Sequence, residues 1–298
     1  LLALAGAYRV TAGTVADAFR RIDAETIQPA APPELVEVKP LGRARLAGAD
    51  LAAATETVAA LNERAATVPV TGCPRPVFRR TYHGTGHGRL YALGGGGVAY
   101  QRMAAEDRLR DITIGGEPIV EVDARASHLT VLHALANIPL PEGDPYALPG
   151  IPREAVKAFV TMTIGTGGPA KRWARDAGRE DGWPPLASIR AAVIARFPFM
   201  RCPALLVPAD FLPGVGRERA LSHYLMRLEA DALATAMGIL WREHETLALP
   251  LFDCLLVPRS ATGRAVEAIR TGYLVHAGEE PRVSVSWWED GRKASEDM

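Results

Sequence analysis

The chain is short of cysteine, of long apolar runs and of net charge, and each shortage excludes a class of protein. Its three cysteines, Cys73, Cys202 and Cys254, are odd in number and far apart, with no Cys-x-x-Cys pair. Neither a disulfide framework nor a four-cysteine zinc site is encoded, and the usage fits a reducing cytoplasm. No apolar run approaches the roughly 20 residues that span a bilayer, and Leu1–Val10 has neither a basic lead nor a small-residue cleavage site. No membrane partner is expected, and a cytoplasmic location is. Signatures of phosphate loops and hydrolases are missing too. The glycines of 94–97 and 165–168 lead into no Gly-Lys-Ser/Thr and open no Gly-x-Gly-x-x-Gly helix, and no Gly-x-Ser-x-Gly elbow occurs.

Basic and acidic side chains number 34 each, and a formal charge of zero weighs against nucleic-acid binding, which calls for an excess of Lys and Arg. The total hides a segregation. Arg75–Arg110 carries seven basic residues against two acids, whereas His276–Met298 carries six acids against three bases.

What is present is ample core: 298 residues, 48% hydrophobic and 23% charged, exclude disorder and a fibrous fold and allow one large domain with a smaller appendage. Residues 14–27 place Val15, Phe19 and Ile22 at helical spacing, and 49–65 repeat the pattern through Leu51, Val58 and Leu61. With the proline-rich 29–35 between them and a boundary at 68–76, residues 1–75 read as an N-terminal helical lobe. The glycine-rich 83–97 predict a loop or hairpin. From Pro118 a β-rich run delivers Asp123 at its exit into a helix striped by Leu129, Leu132 and Ala136. In the helix predicted over 152–164, Arg153 and Lys157 share the face next to the apolar stripe of Val156, Phe159, Val160 and Thr163. A long helix is predicted over 218–245, then a hairpin over 246–258 with Asp253 inside its second arm. A helix through Val266 and Ile269 and a strand over 282–288 close the chain.

Asp123 and Asp253 stand among strongly apolar neighbours, where an ionised carboxylate costs several kcal/mol unless it is paired or binds a metal. Taken alone, either acid could cap a turn or pair with an arginine. Two such acids on strands are also what a two-metal phosphoryl-transfer site requires, because Mg²⁺ is held by one or two carboxylates plus substrate phosphates. His83, His87 and Cys73 make a weaker case for zinc, since Gly-Thr-Gly separates the histidines and a fourth ligand is missing. Trp287 and Trp288 could stack on a base, although strand alternation puts at least one of them in the core.

Three blocks in order carry a resemblance: GRLYALGGGGVAYQRM (88–103) with Arg108 and a strand ending in Asp123, then REAVKAFVTMTIG (153–165), then LPLFDCLLVP (249–258) after a long helix. Over about residues 76–298 this order resembles the polymerase domain of family A DNA polymerases and, more distantly, the phage-type single-subunit RNA polymerases. The resemblance implies an α+β fold: a right-hand polymerase palm with an antiparallel sheet, helical fingers around 152–220, and the 1–75 lobe as a short thumb. It implies two Mg²⁺ ions (Mn²⁺ as substitute) on Asp123 and Asp253, and a triphosphate gripped by Arg153 and Lys157. It also implies that Arg89, Gln101 and Arg108 contact a nucleic-acid template–primer, with nucleoside triphosphates as substrates.

The sequence departs from the family pattern in several places. Gly165 and Thr166 stand where the family carries Tyr-Gly, Phe252 replaces a histidine, and Cys254 replaces an acid, so that a third carboxylate has to come from elsewhere, Glu121 being a candidate. His128 occupies the position that implies exclusion of a 2′-hydroxyl, and so deoxynucleotides. The expected activity is template-directed nucleotidyl transfer by a minimal DNA polymerase-like core. A catalytically silent palm that binds nucleic acid or a partner, and a metal-dependent nuclease, are the rival expectations.

Overall fold

The computed structural model describes residues 34–93, 99–174, 178 and 180–298. The helix predicted over 14–27 and the glycines of 94–97 lie outside the described residues. In chain order the elements are β1 (Val36–Lys39), α1 (Gly48–Thr67), β2 (Val70–Thr71), β3 (Val77–His83), β4 (Gly86–Leu93), α2 (Ala105–Asp111), β5 (Thr113–Ile114), β6 (Glu117–Arg125), α3 (Ser127–Leu135), α4 (Arg153–Thr166), α5 (Leu186–Arg196), α6 (Arg217–His244), β7 (Leu249–Leu251), β8 (Cys254–Pro258), α7 (Thr262–Ala277), β9 (Arg282–Glu289) and β10 (Arg292–Asp297). The fold is mixed α+β, and among the described residues no helix is long and apolar enough to cross a membrane.

The larger sheet is antiparallel and centred on β6, which pairs with β8 on one side and β9 on the other; β7 extends it beyond β8 and β10 beyond β9, while the β5–β2 pair continues from the start of β6. Strand alternation gives β6 two unlike faces. Val120 and Val122 are buried in the core, and Glu121 and Asp123 point the other way. Arg108 of α2 reaches Glu121, so α2 packs on that second face. Helix α7 packs against β6, β8 and β9, and also lies along α6. Their approach is set by Gly272: a Cβ built there would lie 2.2 Å from the carbonyl oxygen of Ala232, so only a residue without a side chain fits.

Residues 34–75 are not a separate helical lobe. β1 pairs in parallel with β3, β2 pairs with β5, and Val58, Leu61 and Ala65 of α1 join the main core. The reason is that the apolar stripe of α1 and the open edges of β3 and β5 need partners, and each supplies one. The glycine-rich segment forms the β3–β4 hairpin. Between 152 and 220 the described residues hold α4, α5, two short 3₁₀ turns at Pro198–Arg201 and Pro203–Leu206, and the start of α6. Past Trp287 and Trp288, both partly buried against the core, the chain turns back into β10, a strand without an apolar alternation to announce it.

Candidate active site

A cleft of about 440 Å³ opens where β6, the β7–β8 turn, α3, α4 and α6 converge. Asp123 lies opposite Cys254 of β8 and Ser284 of β9. Asp253 lies in the two-residue turn before Cys254, not inside the second arm of the hairpin as its apolar surroundings predicted. Phe252 takes the left-handed φ of 55° that begins this turn, a conformation usually left to glycine, and it stands exposed beside the aspartate. The amide of Ala124 donates to the carbonyl of Asp253 at 3.0 Å, tying the turn to β6. Both aspartates line the cleft. After Arg125, Ala126 (φ 52°) swings the chain directly into α3, and this places Ser127 and His128 in the same space.

The third carboxylate at the site is Glu229 of α6. Its Oε1 accepts from Arg89 Nη2 at 2.5 Å and Nε at 3.1 Å, its Oε2 accepts from Ser127 Oγ at 2.6 Å, and His128 Nε2 lies 3.4 Å away. Since the Ser127 hydroxyl donates to Glu229, the Tyr273 hydroxyl at 2.7 Å donates to Ser127. Glu121 does not play this part: Arg108 binds it at 2.8 Å and Lys293 stands at 3.8 Å, outside the cleft lining. A sequence signal for Glu229 existed. Leu221, Leu225, Ala232, Leu233, Ala236 and Leu240 form the buried stripe of α6, and Glu229 sits in the middle of that stripe, where a lone acid requires a partner.

Burial, reinforced by Glu121 and Glu229, pushes the Asp123 carboxyl up to about 6, against the opposing pull of Lys157 and Lys293. Burial, then Glu229 and Asp123, pushes Asp253 up to about 8. Glu229 moves the other way: burial would raise it, but the positive charge of His128 and Arg89 and the bonds from Ser127 and Arg89 hold it below the usual carboxylate range. Arg89, permanently charged, is the counter-ion that lasts at neutral pH, because burial pushes the His128 imidazole below its ordinary value. The His128 Nε2 is buried and makes no hydrogen bond among the described residues. Tyr146, also in the cleft, is pushed by burial up to about 12.

Arg153 and Lys157 line the opposite wall from α4, as their i, i+4 spacing predicted. They are not equivalent. Arg153 pairs with Asp144 at 2.5 Å and with Glu154 at 2.7 Å, and lies over the Tyr146 ring. Lys157 is exposed and has no ion-pair partner among the described residues.

Each of the three residues expected to touch a template–primer has an internal partner. Gln101 donates to the carbonyls of Leu90 and Pro250 and accepts from the amide of Ala92, so its amide closes the gap between β4 and β7. Arg108 is buried on Glu121 and the carbonyl of Met103. Arg89 does line the cleft, but it binds Glu229 and lies over Phe252. Arg108 is buried and Arg89 and Gln101 partly buried, and each has taken an internal partner.

Two crowded carboxylates without a full counter-charge fit a divalent cation that substrate phosphates would help to coordinate. Among the described residues no group of three or more His, Cys, Asp and Glu is arranged to hold a metal, which also leaves His83, His87 and Cys73 without a zinc site. The cleft thus pairs an acidic floor with a cationic wall, an arrangement suited to a polyanionic substrate. Compared with protein-family models and with curated proteins, the chain has no match to either.

Proposed function

We propose that the chain is a template-directed nucleotidyltransferase of the DNA polymerase type, with the β6-centred sheet as its palm and residues 152–220 as its fingers. The observation that carries this reading is the convergence of Asp123 and Asp253 on one cleft, facing Lys157 and Arg153 across it. Asp123 and Asp253 would hold Mg²⁺, which supplies activation of a primer 3′-hydroxyl and neutralisation of triphosphate charge. Lys157, the cleft cation without an acid partner among the described residues, binds the triphosphate and offsets the charge that builds there during transfer. Arg153, held by Asp144 and Glu154, orients it. Glu229 fixes Arg89 and Ser127 and keeps His128 facing the cleft, where the imidazole crowds the sugar and selects deoxynucleotides.

The test is primer extension with Mg²⁺ by the wild type and by Asp123→Asn and Asp253→Asn. Incorporation by the wild type and its loss in both variants supports the reading; no incorporation by the wild type with any template, primer or nucleotide set defeats it. A second reading, a silent palm that binds nucleic acid or a partner without chemistry, is favoured by the lack, among the described residues, of a third free acidic ligand at the aspartate pair. It expects nucleic-acid binding without incorporation.

A further inference from the structure

A second cleft, of about 490 Å³, lies between α1, α6 and α7. It is on the far side of α6 from the aspartates. At about 100° per residue, Asp231, Gly238 and Arg242 project from the helix face opposite Glu229, and these three line the second cleft while Glu229 lines the first. The two sites therefore share a wall and no lining residue.

The chemistry of the second cleft is set by two arginines, Arg64 of α1 and Arg242 of α6. Neither has a carboxylate within ion-pair distance among the described residues. Packing positions Arg64 instead. Arg64 lies over the Trp241 ring, 4.9 Å from its centroid. Arg242 is exposed on the last turns of α6 and passes Gly238 one turn before it, where even an added Cβ would make only ordinary contact, 3.4 Å from Nη2. Burial, and after it the charge of Arg242, lower the pKa of Arg64 against the opposing pull of Glu63. Of the other charged groups, Asp231 is fully used by Arg80 and Arg227, and His276 is bonded to Thr235 at 2.8 Å. Glu56 is the one lining acid without an ion pair among the described residues, and it is exposed.

Two guanidinium forks that line one cavity without ion-pair partners among the described residues are a receptor for oxyanions, since their planar donors match phosphate oxygens bidentately. The cavity falls within the range that encloses small organic ligands, about 300–1,000 Å³, and exceeds what a lone inorganic ion fills. We propose that this cleft binds a small phosphate-bearing anion of nucleoside-diphosphate size between Arg64 and Arg242. The site is independent of the aspartate cleft and of the activity proposed for it.

The experiment is titration calorimetry of the full chain with ADP, and separately with inorganic pyrophosphate, in EDTA. ADP binding persists in Lys157→Gln, which lacks the phosphate-binding cation of the aspartate cleft. Arg64→Gln and Arg242→Gln each weaken it at least about tenfold, the effect expected for losing one charge-assisted contact. Glu56→Gln, which keeps both arginines, tightens binding severalfold, so the proposal stays testable if an arginine variant fails to fold. Pyrophosphate binding with the same arginine dependence supports recognition of the phosphates alone; binding of ADP only, with that dependence, supports recognition of the whole nucleotide. No binding of either probe overturns the proposal, as does an affinity indifferent to Arg64, Arg242 and Glu56, or one lost in Lys157→Gln.

Discussion

Asp123 and Asp253 are placed side by side by the β6–β8 register, in which Asp123 faces Cys254 and the next amide, that of Ala124, holds the carbonyl of Asp253. The turn carrying Asp253 is therefore bonded to the strand carrying Asp123. Moving one acid relative to the other requires breaking the ladder, which makes the pair a rigid unit with two under-compensated charges.

Replacing either acid by asparagine separates catalysis from stability. Asp123→Asn and Asp253→Asn are expected to lower incorporation by about 10²–10³-fold or more, the scale of removing one preorganised electrostatic contact. The same variants are expected to be more stable than the wild type at pH 8 by about 1–2 kcal/mol, because a crowded buried charge is gone. Primer extension and denaturant unfolding on the same preparations check both; a loss of stability would contradict the assigned electrostatics.

The pH dependence of stability follows with a definite sign. Both carboxyls titrate higher in the folded protein, near 6 and near 8, than the ordinary aspartate value of 3.8, so over this range the folded state holds protons that the unfolded chain has released. Their contribution is complete below pH 3.8 and is lost as pH rises through 6 and 8, in steps that belong to the pair. In EDTA the Tm is expected to fall across that window relative to Asp253→Asn. Added Mg²⁺ is expected to restore it at pH 8 by binding the folded state. Scanning calorimetry at several pH values, with and without the ion, provides the check.

Glu229 and Arg89 form a pair whose halves are costly to separate. Glu229→Gln is expected to destabilise the fold by about 3–5 kcal/mol, since it leaves the Arg89 charge without its partner in a largely buried place. The double variant Glu229→Gln, Arg89→Met is expected to recover part of that loss. Urea unfolding of the four proteins of the cycle measures the coupling.

His128 carries the proposed sugar selectivity. His128→Gly is expected to reduce the preference for deoxynucleotides over ribonucleotides at least about tenfold, in line with removing roughly 1.4 kcal/mol of steric discrimination. Competing incorporation of the two nucleotide types by wild type and variant measures it; unchanged selectivity would remove the histidine from that role.

Gly272→Ala tests the packing behind the sheet. A Cβ at 2.2 Å from the Ala232 carbonyl oxygen has to push α7 from α6, with an expected loss of about 2–3 kcal/mol. Chemical unfolding reads it directly.

Much of this architecture was legible in the sequence. The 3.6-residue periodicity marked α1, α4 and α6 to within a few residues and the presence of α7, and the apolar run before Asp123 marked β6. β10 was not legible, because Arg292–Asp297 is an exposed edge strand held by its ladder to β9 and has no buried face to pattern. Glu229 was passed over inside an apolar stripe that in fact required a partner for it. The internal partners of Arg89, Gln101 and Arg108 were not legible either, because a polar side chain in a loop-rich stretch has no local feature that tells an internal partner from a nucleic-acid or solvent contact.

By itself the sequence determined the local elements and the residue faces: an acid on a strand, two cations one turn apart on a helix, and a chain without a membrane-length apolar run. Those follow from backbone geometry, which repeats over a few residues and leaves its period in the pattern of side chains. Only the tertiary structure decided the partnerships, Asp253 beside Asp123, Arg89 on Glu229, Arg108 on Glu121, and Arg64 near Arg242 without an acid between them. A buried charge is satisfied by whatever group the strand register and helix packing bring within about 3 Å, and that neighbour is set by the whole fold, not by its distance along the chain.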